Sequence, residues 1–186
     1  YGIDMEPCLN DYLKHRNFMQ INIRYDIADF LFAINNWPSE FDCIIHLAAL
    51  VRVNESVEQP YSYYDTNING TVNVLNDIKH KNFIFASTGA AAQPSSPYAI
   101  SKVVAEQCVR QHCSLSQIDH TIFRFYNVTG SDGFPATNPD GLFYNLVKAI
   151  DTKEFNIYGT NYNTKDGTCV REYIHVSDIC SALMAA

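Results

Sequence analysis

The run SPYAISK at 96–102 sets Tyr98 one helical turn ahead of Lys102. Ser96 is a good helix cap and Pro97 suits a first helical position. The spacing therefore predicts a helix from Pro97, with Tyr98 in its first turn and Lys102 on the same face. A free phenol titrates near ~10 and is a poor base at neutral pH. A nearby ammonium and the partial positive charge of a helix N-terminus both favour the phenolate, which would make Tyr98 a usable acid–base group. The same spacing also occurs by chance at ordinary surface helices. Ten positions before Tyr98, the run FASTGAAA (85–92) ends an apolar stretch with Ser87, Thr88 and Gly89. A hydroxyl there can bond a substrate oxygen, or simply close a turn on its own backbone. If the strands around it are parallel, Thr88 and Tyr98 can face one pocket.

The elements that must position these groups alternate along the chain. FMQINI (18–23), FDCIIHLAA (41–49), NFIFAST (82–88), DHTIFRFYNV (119–128), FNIYG (155–159) and REYIHV (171–176) read as strands. The continuous apolar centres of 41–49 and 82–88 suit strands buried on both faces. Between them, 27–36, 62–81, Pro97 to about Cys113, 141–152 and 177–186 read as helices. In the second of these, Ile68, Val72 and Leu75 share one side. Strand–helix alternation implies an α/β fold with a mostly parallel sheet. Ligands of such sheets sit beyond the carboxyl ends of the strands, where 46–49, 87–89 and 126–127 would gather. IIHLAAL (44–50) offers either a close backbone passage for a flat cofactor over Ala48 and Ala49, or a strand end with a core histidine, His46; by itself the second is the better reading. TGSDGFPATNPDG (129–141) and GTNYNTKDGT (159–168) read as long loops, suited to covering a substrate.

Composition narrows the class. The chain has 186 residues, of which 47% are hydrophobic and 18% charged, as in globular domains. A net charge of −7 at pH 7 leaves no basic stripe for nucleic acid. A small anionic ligand needs only one placed arginine and a helix N-terminus. The six cysteines, among them Cys8, Cys43 and Cys180, form no C-x-x-C pair and suggest a reducing, cytoplasmic compartment. No metal-ligand spacing, membrane-length apolar stretch or signal peptide is visible.

Four stretches, HLAALVRVNESVEQPYSYYDTNINGT (46–71), SPYAISK (96–102), FRFYNV (123–128) and DGTCVREYIHVSDI (166–179), resemble the extended short-chain dehydrogenase/reductase family, and within it the nucleotide-sugar epimerases that act on UDP-glucose. The likeness runs from about 18 to 186. It implies a Rossmann-like, doubly wound parallel sheet binding NAD over 1–128, and a smaller substrate-binding region over 129–186. By the same likeness Thr88, Tyr98 and Lys102 are the catalytic set, Lys102 also holding the nicotinamide ribose. Leu47, Ala48, Ala49 and Val51 line the NAD site, with Thr66 close by, Asn22 and Ile23 at the adenine, and Tyr126 near the nicotinamide. Asn127 and Arg171 hold the sugar nucleotide, with Arg171 on its diphosphate, where a guanidinium fork suits better than a lysine. Asn156, Ile157 and Tyr158 border the uracil.

The implied reaction interconverts UDP-glucose and UDP-galactose at C4. Tyr98 removes the 4-hydroxyl proton as hydride passes to NAD, and both return after the 4-keto sugar has turned over. The likeness also implies a homodimer that pairs helices 62–80 and 97–113, with Val72, Ala99 and Val103 at the seam or against the sheet. Several positions depart from the family pattern. Val51 stands where a Lys or Gln is common, and Asn22 where Asp is usual. The stretch from Thr88 to Tyr98 is short. The glycine-rich pyrophosphate turn and the last substrate residues are not in this chain, which therefore reads as the middle of a longer enzyme. Related dehydratases carry Asp-Glu after the Ser/Thr. Gly89 and Ala90 stand here instead, which favours epimerisation or simple oxidation–reduction over elimination. A related sugar-nucleotide oxidoreductase or dehydratase, or a non-catalytic binding fragment, are the alternatives.

Overall fold

NFIFAST forms the middle strand of a three-stranded parallel sheet. The structure is a computed structural model that describes residues 38–130, 141–157 and 159–186, together with the backbone of strands β1 (Gly2–Asp4) and β2 (Phe18–Gln20). The middle strand, β4 (Asn82–Thr88), lies between β3 (Ile44–His46) and β5 (Asp119–Phe125). Ile44 pairs with Phe83, and Thr88 with Phe125. β1 and β2 form a separate parallel pair, Gly2 opposite Phe18. Parallel sheets with helical crossovers give the Rossmann-like architecture expected.

The crossover from β3 to β4 runs through α1 (Val53–Glu58), α2 (Pro60–Tyr64), a π-helical turn (Asp65–Asn69) and α3 (Gly70–Asp77). The return to β5 uses a 3-10 turn (Gly89–Ala92) and α4 (Pro97–Ser116). Val74, Leu75 and Ile78 of the first crossover pack with Phe83 and Phe85 of β4 and with Ala105, Val109 and Cys113 of α4. Each large apolar side chain so buried contributes about 1.5–3 kcal/mol. The residues of α4 that face inward, among them Tyr98, Lys102, Ala105, Val109 and Cys113, follow helical spacing. Small Ala99, Ser101 and Ala105 on that face are buried and let the helix approach closely.

Local chemistry starts α4 where the sequence predicts. Ser96 is extended (φ −139°, ψ 157°), and its Oγ accepts from the Ala99 N–H at 3.2 Å. Replacing Ser96 by Ala should destabilise the protein by about 1 kcal/mol, read as a lower urea midpoint at unchanged m-value. A loss below the error of the measurement would mean that the cap is idle.

A second compact unit, Tyr126–Ala186, follows the first, Tyr1–Phe125. It pairs β6 (Asn127–Thr129) in parallel with β7 (Tyr173–His175), and carries α5 (Leu142–Thr152) and α6 (Val176–Ala185). Gly130 has φ +87°, and a Cβ there would collide with the His175 ring, so the end of β6 needs glycine. No helix of the described residues is long and apolar enough to cross a membrane.

Three expectations need correction. Val72 is exposed rather than on the inner face of its helix, and Ile68 is only half-buried, while Thr71, Val74 and Leu75 are buried. Thr71, Val74, Leu75 and Ile78 continue the helical spacing of buried Tyr63, Thr66, Asn67 and Gly70, and Val72 falls outside that face. The strand expected at 119–128 is two strands that change partner at Tyr126. Residues 155–157 and 159 form no strand, since no neighbouring strand within the described residues offers them a ladder. The helix expected at 27–36 lies outside the described residues.

Candidate active site

At the carboxyl end of β4, Thr88 and Tyr98 meet. The Thr88 hydroxyl lies close enough to the phenol to favour its ionised form, and Tyr98 is 9% exposed. Thr88 Oγ accepts from the Ala90 N–H at 3.3 Å, which fixes the hydroxyl at the start of the 3-10 turn. The Tyr98 ring meets the edge of Tyr63, centroids 6.3 Å apart and planes at 80°. Tyr63 is itself fixed: its hydroxyl accepts from the Arg52 N–H at 3.0 Å and donates to Glu55 at 3.4 Å.

Lys102, one turn further along α4, is 3% exposed, and its Nζ lies 4.2 Å from the centroid of Phe85. Burial pushes the ammonium down to about 8, against the opposing pull of the Glu106 charge. The phenol, by contrast, does not follow the sequence argument. Burial pushes Tyr98 up, and the group that lowers it is Thr88, not Lys102. The lysine spends its proximity on Phe85, whose ring face attracts a cation.

Two buried side chains that belong to no sequence motif hold this arrangement. Asn67, in the π turn, accepts from the Leu50 N–H at 2.8 Å and donates to the Leu50 carbonyl at 2.9 Å. It also donates to Ser101 Oγ at 2.9 Å, and Ser101 donates to the Tyr98 carbonyl at 2.7 Å. One amide thus ties the segment after β3 to the first turn of α4. The available signal was an asparagine inside a helical pattern, where it is a poor former. The second is Glu106, 1% exposed. It accepts from Ser87 at 2.6 Å, from Arg110 at 2.9 Å, and from Arg124 at 2.8 Å and 2.7 Å. Burial alone would raise this carboxyl, but these donors outweigh it and bring Glu106 down to about 2.

His46 proves to be a core histidine. Burial, helped by the charge of Lys102, pushes it down to about 3, so it is neutral. Its Nε2 sits 3.0 Å from the Thr71 hydroxyl, and its ring stacks on Phe85 at 5.7 Å.

Of the residues assigned to the cofactor, Leu47 and Val51 are 56% and 61% exposed, and Ala48 and Ala49 half-buried, in the irregular segment after β3. Thr66 is buried in the π turn. An exposed apolar ledge and small residues at the carboxyl edge of a parallel sheet, beside a buried cation, suit a flat anionic cofactor. Asn22 and Ile23 lie outside the described residues, as does Tyr158.

The second unit holds the remaining candidates. Tyr126 is 55% exposed. Asn127 donates to the Glu172 carbonyl from its side chain at 3.0 Å and from its backbone at 3.2 Å, which brings it beside Arg171 at the entry to β7. Arg171 is exposed and donates to the Val170 carbonyl at 3.0 Å. Asn156 and Ile157 are exposed in irregular chain.

Comparison with known proteins gives one consistent answer. The model of the NAD dependent epimerase/dehydratase family matches residues 10–186. A UDP-glucose 4-epimerase of Mycoplasma pneumoniae is 32% identical, the match covering 91% of this chain and 56% of that protein. The human UDP-glucose 4-epimerase is 34% identical over 78% of this chain and 50% of its own. The UDP-glucose 4-epimerase of Brucella ovis, solved with NAD, superposes with a TM-score of 0.77 at 27% identity, covering 91% of this chain and 58% of that one. The chain spans about half the length of the curated relatives it matches.

Proposed function

Since the chain belongs to the NAD dependent epimerase/dehydratase family, we propose that it works as an NAD-dependent nucleotide-sugar epimerase that inverts C4 between UDP-glucose and UDP-galactose through a 4-keto sugar. The observation that carries this reading is the buried Tyr98 phenol beside the Thr88 hydroxyl at the carboxyl end of β4. Leu47, Ala48, Ala49, Val51 and Thr66 of the first unit hold NAD, joined by Asn22, Ile23 and Tyr126, with Lys102 at the nicotinamide ribose. When bound, NAD supplies a reversible hydride acceptor for the carbinol carbon. Tyr98 takes the proton of the 4-hydroxyl and later returns it, while Thr88 donates to the same sugar oxygen and keeps it in line. Burial, which pushes the phenol up, also excludes water from that proton transfer.

Asn127 and Arg171 bind the sugar nucleotide, Arg171 as a fork on the diphosphate, with Asn156, Ile157 and Tyr158 at the base. The alternative of elimination is less favoured, because Gly89 and Ala90 fill a 3-10 turn and bring no carboxylate beside Thr88. The protein works as a homodimer in a reducing, cytoplasmic setting, a reading that free Cys43, Cys108, Cys113, Cys169 and Cys180 support. Of the residues expected at the dimer seam, Val72 is exposed and Val103 half-buried, and exposed Ile100 and Val104 lie beside them, whereas Ala99 is committed to its own core.

The test is turnover of UDP-galactose by the intact protein supplied with NAD. Formation of UDP-glucose without net NADH is expected. Net oxidation of the sugar, or loss of water from it, would move the assignment to a sister reaction. Retention of NAD with no turnover would favour a binding protein.

A further inference from the structure

Glu106 has no part in the proton relay just described, yet it is the most heavily bonded buried side chain beside it. It lies on α4 one turn after Lys102 and is 1% exposed. Ser87 reaches it from β4, next to Thr88; Arg124 reaches it from β5 with two bonds of 2.8 Å and 2.7 Å; Arg110 reaches it along α4 at 2.9 Å. A two-pronged guanidinium contact fixes direction as well as distance. A buried anion with this many donors is held in one place, and so is the helix that carries it.

We propose that Glu106 is a positioning residue for the site, fixing the rotation of α4 against the ends of β4 and β5 and acting as the buried counter-charge that keeps the Lys102 ammonium protonated. This rests on the epimerase reading above only for what Lys102 does, not for how Glu106 holds it. Other charges near Lys102 cannot take over this role. His46, facing it from β3, is neutral, and the Phe85 ring beneath it on β4 carries no net charge. Arg110 and Arg124 both point their charge at Glu106, and Asn67 on the π turn and Thr71 on α3 are neutral. Glu106 pulls Lys102 upward against burial, and the lysine is left at about 8, within reach of working pH. Small changes in its counter-charge therefore change its protonation under ordinary conditions.

The experiment follows Lys102 itself. Isotope-labelled lysine side chains of the intact protein are titrated by NMR, with the Lys102 signal assigned through Lys102→Met. In Glu106→Gln the Lys102 titration should fall by about one pH unit, the size expected for losing one close opposite charge. The alkaline limb of the kcat profile should fall with it at little change in KM. Should Glu106→Gln fail to fold because Arg124 is stranded, the pair Glu106→Gln/Arg124→Gln is compared with Arg124→Gln alone, so that the difference between the two Lys102 titrations reports Glu106. A Lys102 titration that does not move when Glu106 is replaced, in whichever background folds, overturns the proposal. A merely structural Glu106 would lower thermal stability and leave that titration unmoved. The NMR readout needs no turnover, so an inactive protein with a shifted Lys102 would sink the epimerase reading and leave this one standing.

Discussion

Replacing Tyr98 by Phe is expected to lower kcat for UDP-sugar epimerisation by about 10³-fold, within the range for losing a positioned proton-transfer group. KM should change little, because the ring that shapes the pocket remains. The structure makes this a clean test. The ring of Tyr98 is held from the side by Tyr63 at 6.3 Å, so phenylalanine can occupy the same place. Thr88 keeps its bond from the Ala90 N–H when the phenol hydroxyl is removed, which limits the cost in stability to about 1 kcal/mol. Steady-state kinetics and a melting curve on the same sample check both halves. Activity within a few-fold of wild type would remove Tyr98 from the chemistry altogether. An equal loss of activity and of folded protein would make it a core residue instead. The pH dependence should be read alongside: burial pushes the phenol up, so wild-type activity depends on how far the assembled site restores its acidity.

The second large effect is on stability, at Phe85. This ring is fully buried at the centre of β4, belongs to the cluster shared by α3 and α4, and lies under the Lys102 ammonium at 4.2 Å. Phe85→Ala should cost about 3–5 kcal/mol, from lost transfer energy and the cavity left behind. The loss of the ring face beneath Lys102 adds about 1–2 kcal/mol when the cation is desolvated. Phe85→Leu separates these contributions, since it refills much of the cavity but returns no π face. Urea unfolding of the three proteins measures both. If alanine costs less than about 1 kcal/mol, the core does not run through Phe85 and the sheet is packed differently. If leucine and phenylalanine are equally stable, the lysine gains nothing from the ring.

The start of α4, the run of β4, the meeting of Thr88 with Tyr98 and the parallel pairing of the sheet were all legible in the residues. Each rests on rules that act over a few positions: a serine cap bonding three residues on, an apolar run long enough for a buried strand, and one helical turn between two side chains. The resemblance carried by SPYAISK and DGTCVREYIHVSDI extended the reading to the family. What the sequence could not supply were contacts between segments far apart in the chain. Asn67 reaches Ser101, and Glu106 reaches Ser87 and Arg124, only because the crossovers bring their elements together. The inner face of α3 was equally hidden: Thr71, Val74 and Leu75 set it, and Val72 stays exposed. The state of the phenol, too, was decided in space. Local spacing put a lysine one turn away and a carboxylate one turn beyond it, but tertiary packing gave that lysine an aromatic ring to rest on and buried the tyrosine against a threonine. Electrostatics depends on distance and exposure in the folded chain, and neither is written in the spacing of residues along it.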